Sequence, residues 1–284
     1  MLTAQSGRKG LEKRRTKIVI SACADPKVIQ VIRTYAYGNK AEVVLVPERD
    51  GRTDLEELEK VMDQTVACVY LQEPNYYGLL EDCERAGKLA KEAGAKYILG
   101  CNPISLAVLK TPGDIAVGEG QPLGLELGFG GPYLGFMAVQ QKMMRKLPGR
   151  IVGETTDKEG KRAYVLTLQA REQHIRREKA SSNICSNQAW CALRASVYMA
   201  AMGAQGMELA ARHCSANAHY LCEQLEEIGF KRKHKGTFFH EFVTRSPIDS
   251  KIILEALEKH GYLGGLPLSE QDILWCATEK NTKE

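Results

Sequence analysis

The chain is predicted to fold as an α/β protein, a large domain on a mostly parallel sheet followed by a small C-terminal α+β domain. Three observations predict this. Short β-branched runs alternate with amphipathic helical segments through the first two-thirds of the chain, and such alternation with short turns builds parallel sheets covered on both faces. The composition shifts near Gly229 and leaves a β-α-β remainder, which divides the chain into 1–228 and 229–284. A stretch with seven glycines, 118–136, follows a strand. That is where such sheets hold ligands.

The elements follow in order. Residues 17–21 (KIVIS) are a short β-branched strand. Residues 26–37 have helical spacing, with Val28, Ile32 and Tyr35 on one face. Residues 41–46 (AEVVLV) form the second strand. Thr53 or Asp54 caps a helix running to Met62, with Glu56 and Glu57 placed for a capping box. VACVYL at 66–71 is the third strand, ending at Pro74, and 79–93 is a helix closed by Gly94. Residues 96–99 and 114–117 are the fourth and fifth strands. The strand ends at 72–77, 100–105 and 118–124 are therefore candidate ligand loops. Beyond the glycine run come a strand at 135–139, a short helix at 141–146, a loop or hairpin at 150–162 and a helix at 169–179. Residues 187–202 are strongly helical, with Trp190, Leu193, Val197 and Ala200 on one stripe, and 207–228 form another long helix. The tail reads as strand 237–243, helix 248–260 and strand 273–277.

Composition narrows the function. At 44% hydrophobic and 26% charged, the 284 residues are of ordinary soluble globular type. A net charge of +4 is too small to argue for nucleic acid. The basic run Arg8, Lys9, Lys13, Arg14, Arg15, Lys17 reads as a solvated helix end before the strand at Ile18. No apolar run approaches the roughly 18 residues that span a bilayer, so no membrane partner is expected. Residues 2–17 lack the hydrophobic centre of a signal peptide. Nine cysteines without Cys-x-x-Cys spacing suggest free thiols in a reducing cytoplasm. Cys185/Cys191 and Cys214/Cys222 are too widely spaced for a metal knuckle, and the adjoining His213 and Cys214 point apart on a helix. No metal site is expected.

The glycine run contains no G-x-G-x-x-G, because Gly118 and Gly120 are followed by Gly124, one residue too late; no Walker lysine follows. Its glycines serve either a structural crossover or close approach to a ligand. The segment from Arg171 to Lys179 is dense in charge. On a helix, Arg171, His174, Ile175 and Glu178 share a face, and Arg176 and Lys179 share another. This is a solvated, ion-paired helix or the edge of an anion site. The second reading is favoured by Ser181, Ser182 and Asn183, since such residues before a helix cap its N-terminus, which favours phosphate. Arg150 offers a planar fork for a carboxylate, or a surface ion pair. Tyr76 and Tyr77, at a strand end, are packing aromatics or site residues.

Several long segments resemble one family. They are GEGQPLG and FGGPYLGF, LPGRIVGET, LTLQAREQHIRREKASSNICSNQA, and towards the end FHEFV, LGGLPL and TEKNTKE. All are similar to the P-protein of the glycine cleavage system, glycine dehydrogenase (decarboxylating), specifically subunit 1 of its two-subunit bacterial form. The resemblance covers nearly the whole chain. It implies the aminotransferase-type fold (fold type I of the pyridoxal-phosphate-dependent transferases), whose mostly parallel seven-stranded sheet carries the cofactor, with a small C-terminal domain. It also implies an oxidoreductase activity in which subunits 1 and 2 work together as a cytoplasmic heterotetramer. Glycine forms an imine with pyridoxal 5'-phosphate, carbon dioxide leaves, and the aminomethyl group passes to the lipoyl arm of the H-protein. The cofactor acts as electron sink while the protein orients it.

The departures from the family pattern are equally specific. In the catalytic subunit a His-Lys-Thr segment follows the sheet, and its lysine binds the cofactor. Aligning the glycine motifs puts that segment on Gln121-Pro122-Leu123, and proline cannot form a Schiff base. Lys110 falls too early and Lys142 beyond the next strand. The aspartate facing the pyridine nitrogen belongs near 100–102, where Cys101 and Asn102 stand. The resemblance thus implies a subunit without catalytic residues, its cofactor carried by catalytic subunit 2. Ser181, Ser182 and Asn183 are expected to face the phosphate of that partner's cofactor. Arg150, Arg171, His174 and Arg176 are expected to line the adjoining interface or the substrate. Two alternatives stay open: a remnant or scaffold that pairs without supporting activity, and an independent lyase using another lysine. The family subunit has a substantial portion before the first strand, and Met1-Leu2-Thr3-Ala4 resembles the middle of a family helix. The chain therefore reads as truncated at its N-terminus, with its C-terminus slightly short.

Overall fold

The computed structural model describes residues 15–110, 113–149, 151–167, 172–180 and 187–282. Arg150, Arg171, Ser181, Ser182, Asn183, the start at Met1 to Ala4 and the basic residues Arg8, Lys9, Lys13 and Arg14 lie outside the described residues.

The first half runs β1 (Lys17–Ser21), α1 (Pro26–Gly38), β2 (Glu42–Val46), β3 (Glu48–Arg49), β4 (Arg52–Thr53), α2 (Leu55–Val61), β5 (Val66–Glu73), α3 (Cys83–Glu92), β6 (Lys96–Cys101), β7 (Ile115–Glu119) and β8 (Gly135–Val139). Six described strands form the central sheet in the order β2-β1-β5-β6-β7-β8, against the seven that the resemblance implies. Only β8 runs antiparallel to its neighbour. Side chains alternate between the faces with period two. Val19, Val69, Leu71 and Leu99 pack under α2 and α3 with Leu58, Ala86 and Ala90. Ile18, Ile20, Cys68 and Tyr70 pack on the other side with Ile29 and Ala36 of α1. Burial on both faces is why β1 and β5 read as unbroken apolar runs.

Aspartates start the helices. Asp25 accepts from the Lys27 N–H at 2.7 Å, Asp54 from Glu56 and Glu57 at 3.0 and 3.2 Å, and Asp82 from Arg85 at 3.0 Å. Asp54 rather than Thr53 is therefore the cap; the Thr53 hydroxyl is engaged with Ser21 at 2.7 Å. The helix expected from 79 begins only at Cys83, because 79 and 80 bond to the tail: Leu80 N–H donates to Thr237 O at 2.9 Å and Leu79 bridges Phe238.

The middle segment resolves one alternative and corrects one expectation. The loop or hairpin expected at 150–162 is, among its described residues, a hairpin of β9 (Ile151–Thr156) with β10 (Arg162–Thr167), whose turn is held by Asp157 accepting from Glu159 and Lys161 N–H. Among its described residues, the helix expected over 169–179 keeps one α-helical turn, α4 (Gln173–Arg176). It has no side-chain cap, and Arg177 at φ 51° breaks the path, so His174 and Glu178 share no helical face. The two long helices lie end to end within α5 (Ala189–Glu227), separated at Gly203, whose φ 61° and ψ −178° are not helical. Its apolar stripe points outward: Trp190, Leu193 and Val197 are 65%, 55% and 61% exposed. Small side chains face the core instead, among them Cys191, Ala195, Ala211, Cys214 and Ala218.

The tail contains β11 (Lys231–Arg232), β12 (Glu241–Arg245), α6 (Ser250–Lys259), β13 (Leu266–Pro267) and β14 (Asp272–Cys276). They form an antiparallel sheet ordered β11-β12-β14-β13 over a core of Phe230, Phe242, Ile273 and Trp275. Asp272, its side chain 6% exposed, pairs with Lys233 at 2.8 Å and Arg245 at 3.4 Å. Burial alone would push its carboxyl up. Hydrogen bonds from Lys233 and Ser269 and the Lys233 charge outweigh burial and hold it below the usual carboxylate range. A depressed folded value adds stability above the unfolded pKa, about 3.9, that is lost as pH falls through the folded value. Asp272→Asn should therefore lower the melting temperature at pH 7, and in thermal melts across pH the gap to the parent should narrow as pH falls below the unfolded pKa, about 3.9.

Among the described residues, no helix is long and apolar enough to cross a membrane, and the described cysteines are free thiols.

Candidate functional site: a cleft at the strand ends

The carboxyl ends of β1, β5, β6 and β7 open onto a cleft of about 760 Å³, the size of a small-molecule site. Asp25, Gln72, Gly118 and Gln121 line it from the sheet side, and His240 and Glu241 close it from the tail. Gln72 Oε1 accepts from the Asp25 N–H at 2.9 Å. Glu119 accepts from the N–H groups of Gln121 at 3.1 Å and Leu134 at 2.6 Å, which folds the glycine run back towards β8. A Cβ on Gly118 would meet the Cys101 carbonyl and the Phe136 ring. That glycine thus serves close strand packing as well as facing the cleft.

The tail reaches the cleft through the turn after β5. Gly78 sits at φ 83° and its carbonyl accepts from Phe239 N–H at 3.1 Å. His240, 8% exposed, follows at once. Its Nε2 lies 3.5 Å from Asn102 Nδ2, and its Nδ1 is buried without a partner. Burial pushes the imidazole down to about 4, against the pull of Glu279, so the ring is neutral. Burial and then the Asp25 charge push Glu241 up to about 7. Cys276 stands opposite Glu241 in the β12–β14 ladder. Burial, then the charges of Glu241 and Cys214, push its thiol up to about 12. The donor atoms of His240, Glu241 and Cys276 lie within 4.8 Å of one another.

The charge of the cleft is one-sided. Asp25, Glu119 and Glu241 line it, and no lysine or arginine does among the described residues. A second cleft of about 740 Å³ shares Asn102, Gln121, Pro122 and His240 with the first, and Arg194 and Lys280 lie on its wall. Arg194 pairs there with Glu126 at 3.2 Å.

Gln121 and Pro122, the residues expected in the lysine's position, line both cavities. Lys110 is exposed. Lys142 pairs with Asp114 at 3.5 Å, at the amino end of β7, the far side of the sheet. At the end of β6 the Cys101 thiol turns to Val117 O at 3.6 Å, and burial and Glu73 push it up to about 11. Asn102 Oδ1 accepts from Ile104 N–H at 2.9 Å. A pyridoxal phosphate needs an amine for its aldehyde, an acid for its pyridine nitrogen and donors for its phosphate. Among its described lining residues the strand-end cleft has no amine, and its carboxylates repel phosphate, so these residues do not fit that cofactor. His174 and Arg176 are exposed on α4 and do not line either cleft.

Sequence reasoning missed the cluster of His240, Glu241 and Cys276, because Cys276 lies far along the chain from the adjacent pair and meets it only through strand register. The sole early signal is the pair His240-Glu241 inside FHEFV.

The family model of the glycine cleavage system P-protein matches residues 4–284. The chain is 45% identical over 282 residues to "Probable glycine dehydrogenase (decarboxylating) subunit 1" of Desulfitobacterium hafniense, covering 95% of this chain and 63% of that one. It is 48% identical over 282 residues to the protein of the same name from Moorella thermoacetica, covering 95% and 64%. The chain thus spans just under two-thirds of the length of these relatives. The crystal structure of glycine decarboxylase (P-protein) of the glycine cleavage system, in inhibitor-bound form, superposes with a TM-score of 0.88 at 40% identity, over 95% of this chain and 63% of that one. A NIFS-like protein at 16% identity, TM-score 0.67, over 97% of this chain and 73% of that one, shares the fold alone. The architecture is that of fold type I of the pyridoxal-phosphate-dependent enzymes, and the chain belongs to the glycine cleavage system P-protein family.

Proposed function

We propose that this chain serves glycine decarboxylation as subunit 1, without cofactor chemistry of its own. The observation that carries the reading is the strand-end cleft: Gln121 and Pro122 where a Schiff-base lysine would stand, and three carboxylates with no cation among its described lining residues. The N-terminus of α1, a natural seat for phosphate, already carries the Asp25 carboxylate. Pyridoxal 5'-phosphate then belongs to catalytic subunit 2, which decarboxylates glycine and passes the aminomethyl group to lipoylated H-protein.

What this chain supplies is surface. Trp190, Leu193 and Val197 on α5, Phe129 in the glycine run, and Tyr164 and Val165 on the hairpin are all exposed. These exposed apolar side chains are assigned to the interface with the partner subunit. Ser181, Ser182 and Asn183 are the residues assigned to the phosphate of the partner's cofactor. Arg150, Arg171, His174 and Arg176 are assigned to the adjoining interface.

The test mixes the chain with catalytic subunit 2, lipoylated H-protein, cofactor and carboxyl-labelled glycine. Label is expected in carbon dioxide only when both subunits are present. Leu193→Glu should weaken pairing at least about 30-fold, the equivalent of about 2 kcal/mol at an interface hot spot. The chain alone, given cofactor and borohydride, should trap no label. Trapping on Lys280 would overturn the reading, and pairing without carbon dioxide release would reduce the chain to a scaffold.

A further inference from the structure

We propose that His240, Glu241 and Cys276 form a binding site for a borderline-soft divalent cation of the zinc type, with an open coordination position facing the strand-end cleft. The three donor atoms lie within 4.8 Å of one another. Ideal zinc bonds of about 2.0 Å to nitrogen or oxygen and about 2.3 Å to sulfur place tetrahedral ligand atoms roughly 3.3–3.8 Å apart. Side-chain adjustment of about an ångström therefore closes the site around a metal.

Backbone register fixes the cluster. Glu241 and Cys276 are direct partners in the β12–β14 ladder, and the next N–H, that of Ala277, donates to His240 O at 3.1 Å. All three donors thus come from one short stretch of two hydrogen-bonded segments. His240 supplies the independent sign of a ligand. Its Nδ1 is buried with no partner, while Asn102 lies beside Nε2. A buried nitrogen left unpaired costs about 1–3 kcal/mol. Coordination would satisfy it, and Nε2 would then carry the ring proton.

The donor set names the metal. An imidazole, a thiolate and a carboxylate suit zinc and its neighbours, whereas magnesium and calcium take oxygen throughout. The surroundings favour a cation, since Asp25 and Glu119 line the same cleft with no lysine or arginine among its described lining residues. The field that repels a phosphate draws a divalent ion inward. His240 and Glu241 line the cleft themselves, so the fourth position points at water or at a ligand entering there. On binding, the Cys276 thiol gives up its proton to solvent as the metal–sulfur bond forms.

The experiment uses the full chain with a phosphine reductant and no chelator. Equilibrium dialysis with zinc chloride should show one ion per chain. Cobalt substitution should give a near-ultraviolet thiolate-to-cobalt charge-transfer band beside tetrahedral visible bands. Cys276→Ser should abolish the charge-transfer band; serine is nearly the size of cysteine and keeps the fold intact, checked by an unchanged far-ultraviolet spectrum. His240→Gln and Glu241→Gln should weaken zinc binding at least tenfold, and His213→Gln, exposed on α5, should leave it unchanged. Absence of stoichiometric zinc, or a charge-transfer band that survives Cys276→Ser, overturns the site.

Discussion

Gly78→Ala is expected to lower the melting temperature by roughly 10 °C, the equivalent of about 3–5 kcal/mol. Two penalties add. Gly78 holds φ 83°, where a side chain costs about 1–3 kcal/mol. Its added Cβ would also overlap the Glu241 carbonyl, a backbone atom that cannot swing aside. Forced repacking of that kind costs another 1–3 kcal/mol or so. Gly229→Ala is the control: its φ is 100°, but nothing lies within 4 Å of an added Cβ, so it carries the backbone penalty alone. Equal melting temperatures for the two variants would refute the close approach between the post-β5 turn and β12. Because that approach places His240 and Glu241 over the strand ends, Gly78→Ala should also enlarge the cleft.

The second large effect is expected at Asn75, 1% exposed in the same turn. Its amide donates to Gly51 O and Glu81 Oε1, both at 2.8 Å, and its Oδ1 accepts from Tyr77 and Leu79 N–H at 3.0 and 3.1 Å. Asn75→Ala removes four bonds and strands their partners. At about 1 kcal/mol for each bond, with more for the charged acceptor, the loss is about 4–5 kcal/mol in urea denaturation. The bond to Glu81 matters most. Burial raises that carboxyl, opposed by the hydrogen bonds from Asn75 and Thr53, so losing the amide leaves a charge with fewer donors. A loss below about 1 kcal/mol would show that water replaces the network.

The sheet was legible because its strands are buried on both faces. β5 announces itself as VACVYL, and each crossover helix opens on an aspartate. What failed shares one cause. The stripe Trp190–Leu193–Val197 has the periodicity of a core face, yet alanines and cysteines occupy the core side. Periodicity shows that one face is apolar and is silent about what covers it. Likewise, the charge between Gln173 and Lys179 suits a helix, but the positive φ at Arg177 leaves a single turn. That Gln121 and Pro122 would stand at a strand-end cleft was readable from the glycine run after the fifth strand. The cleft's acidity was not, because Asp25, Glu119 and Glu241 meet only when the tail folds over the sheet.

The outward stripe on α5 also gives the molecule two separate optical reporters. The chain has two tryptophans: Trp190 is 65% exposed on that stripe, and Trp275 is 8% exposed in the tail core, its indole N–H on the Thr244 hydroxyl at 2.8 Å. Covering α5 shifts the emission of the first to the blue and leaves the second alone; loosening the tail shifts the second to the red. Intrinsic fluorescence can therefore follow docking and tail unfolding in one cuvette, without a label.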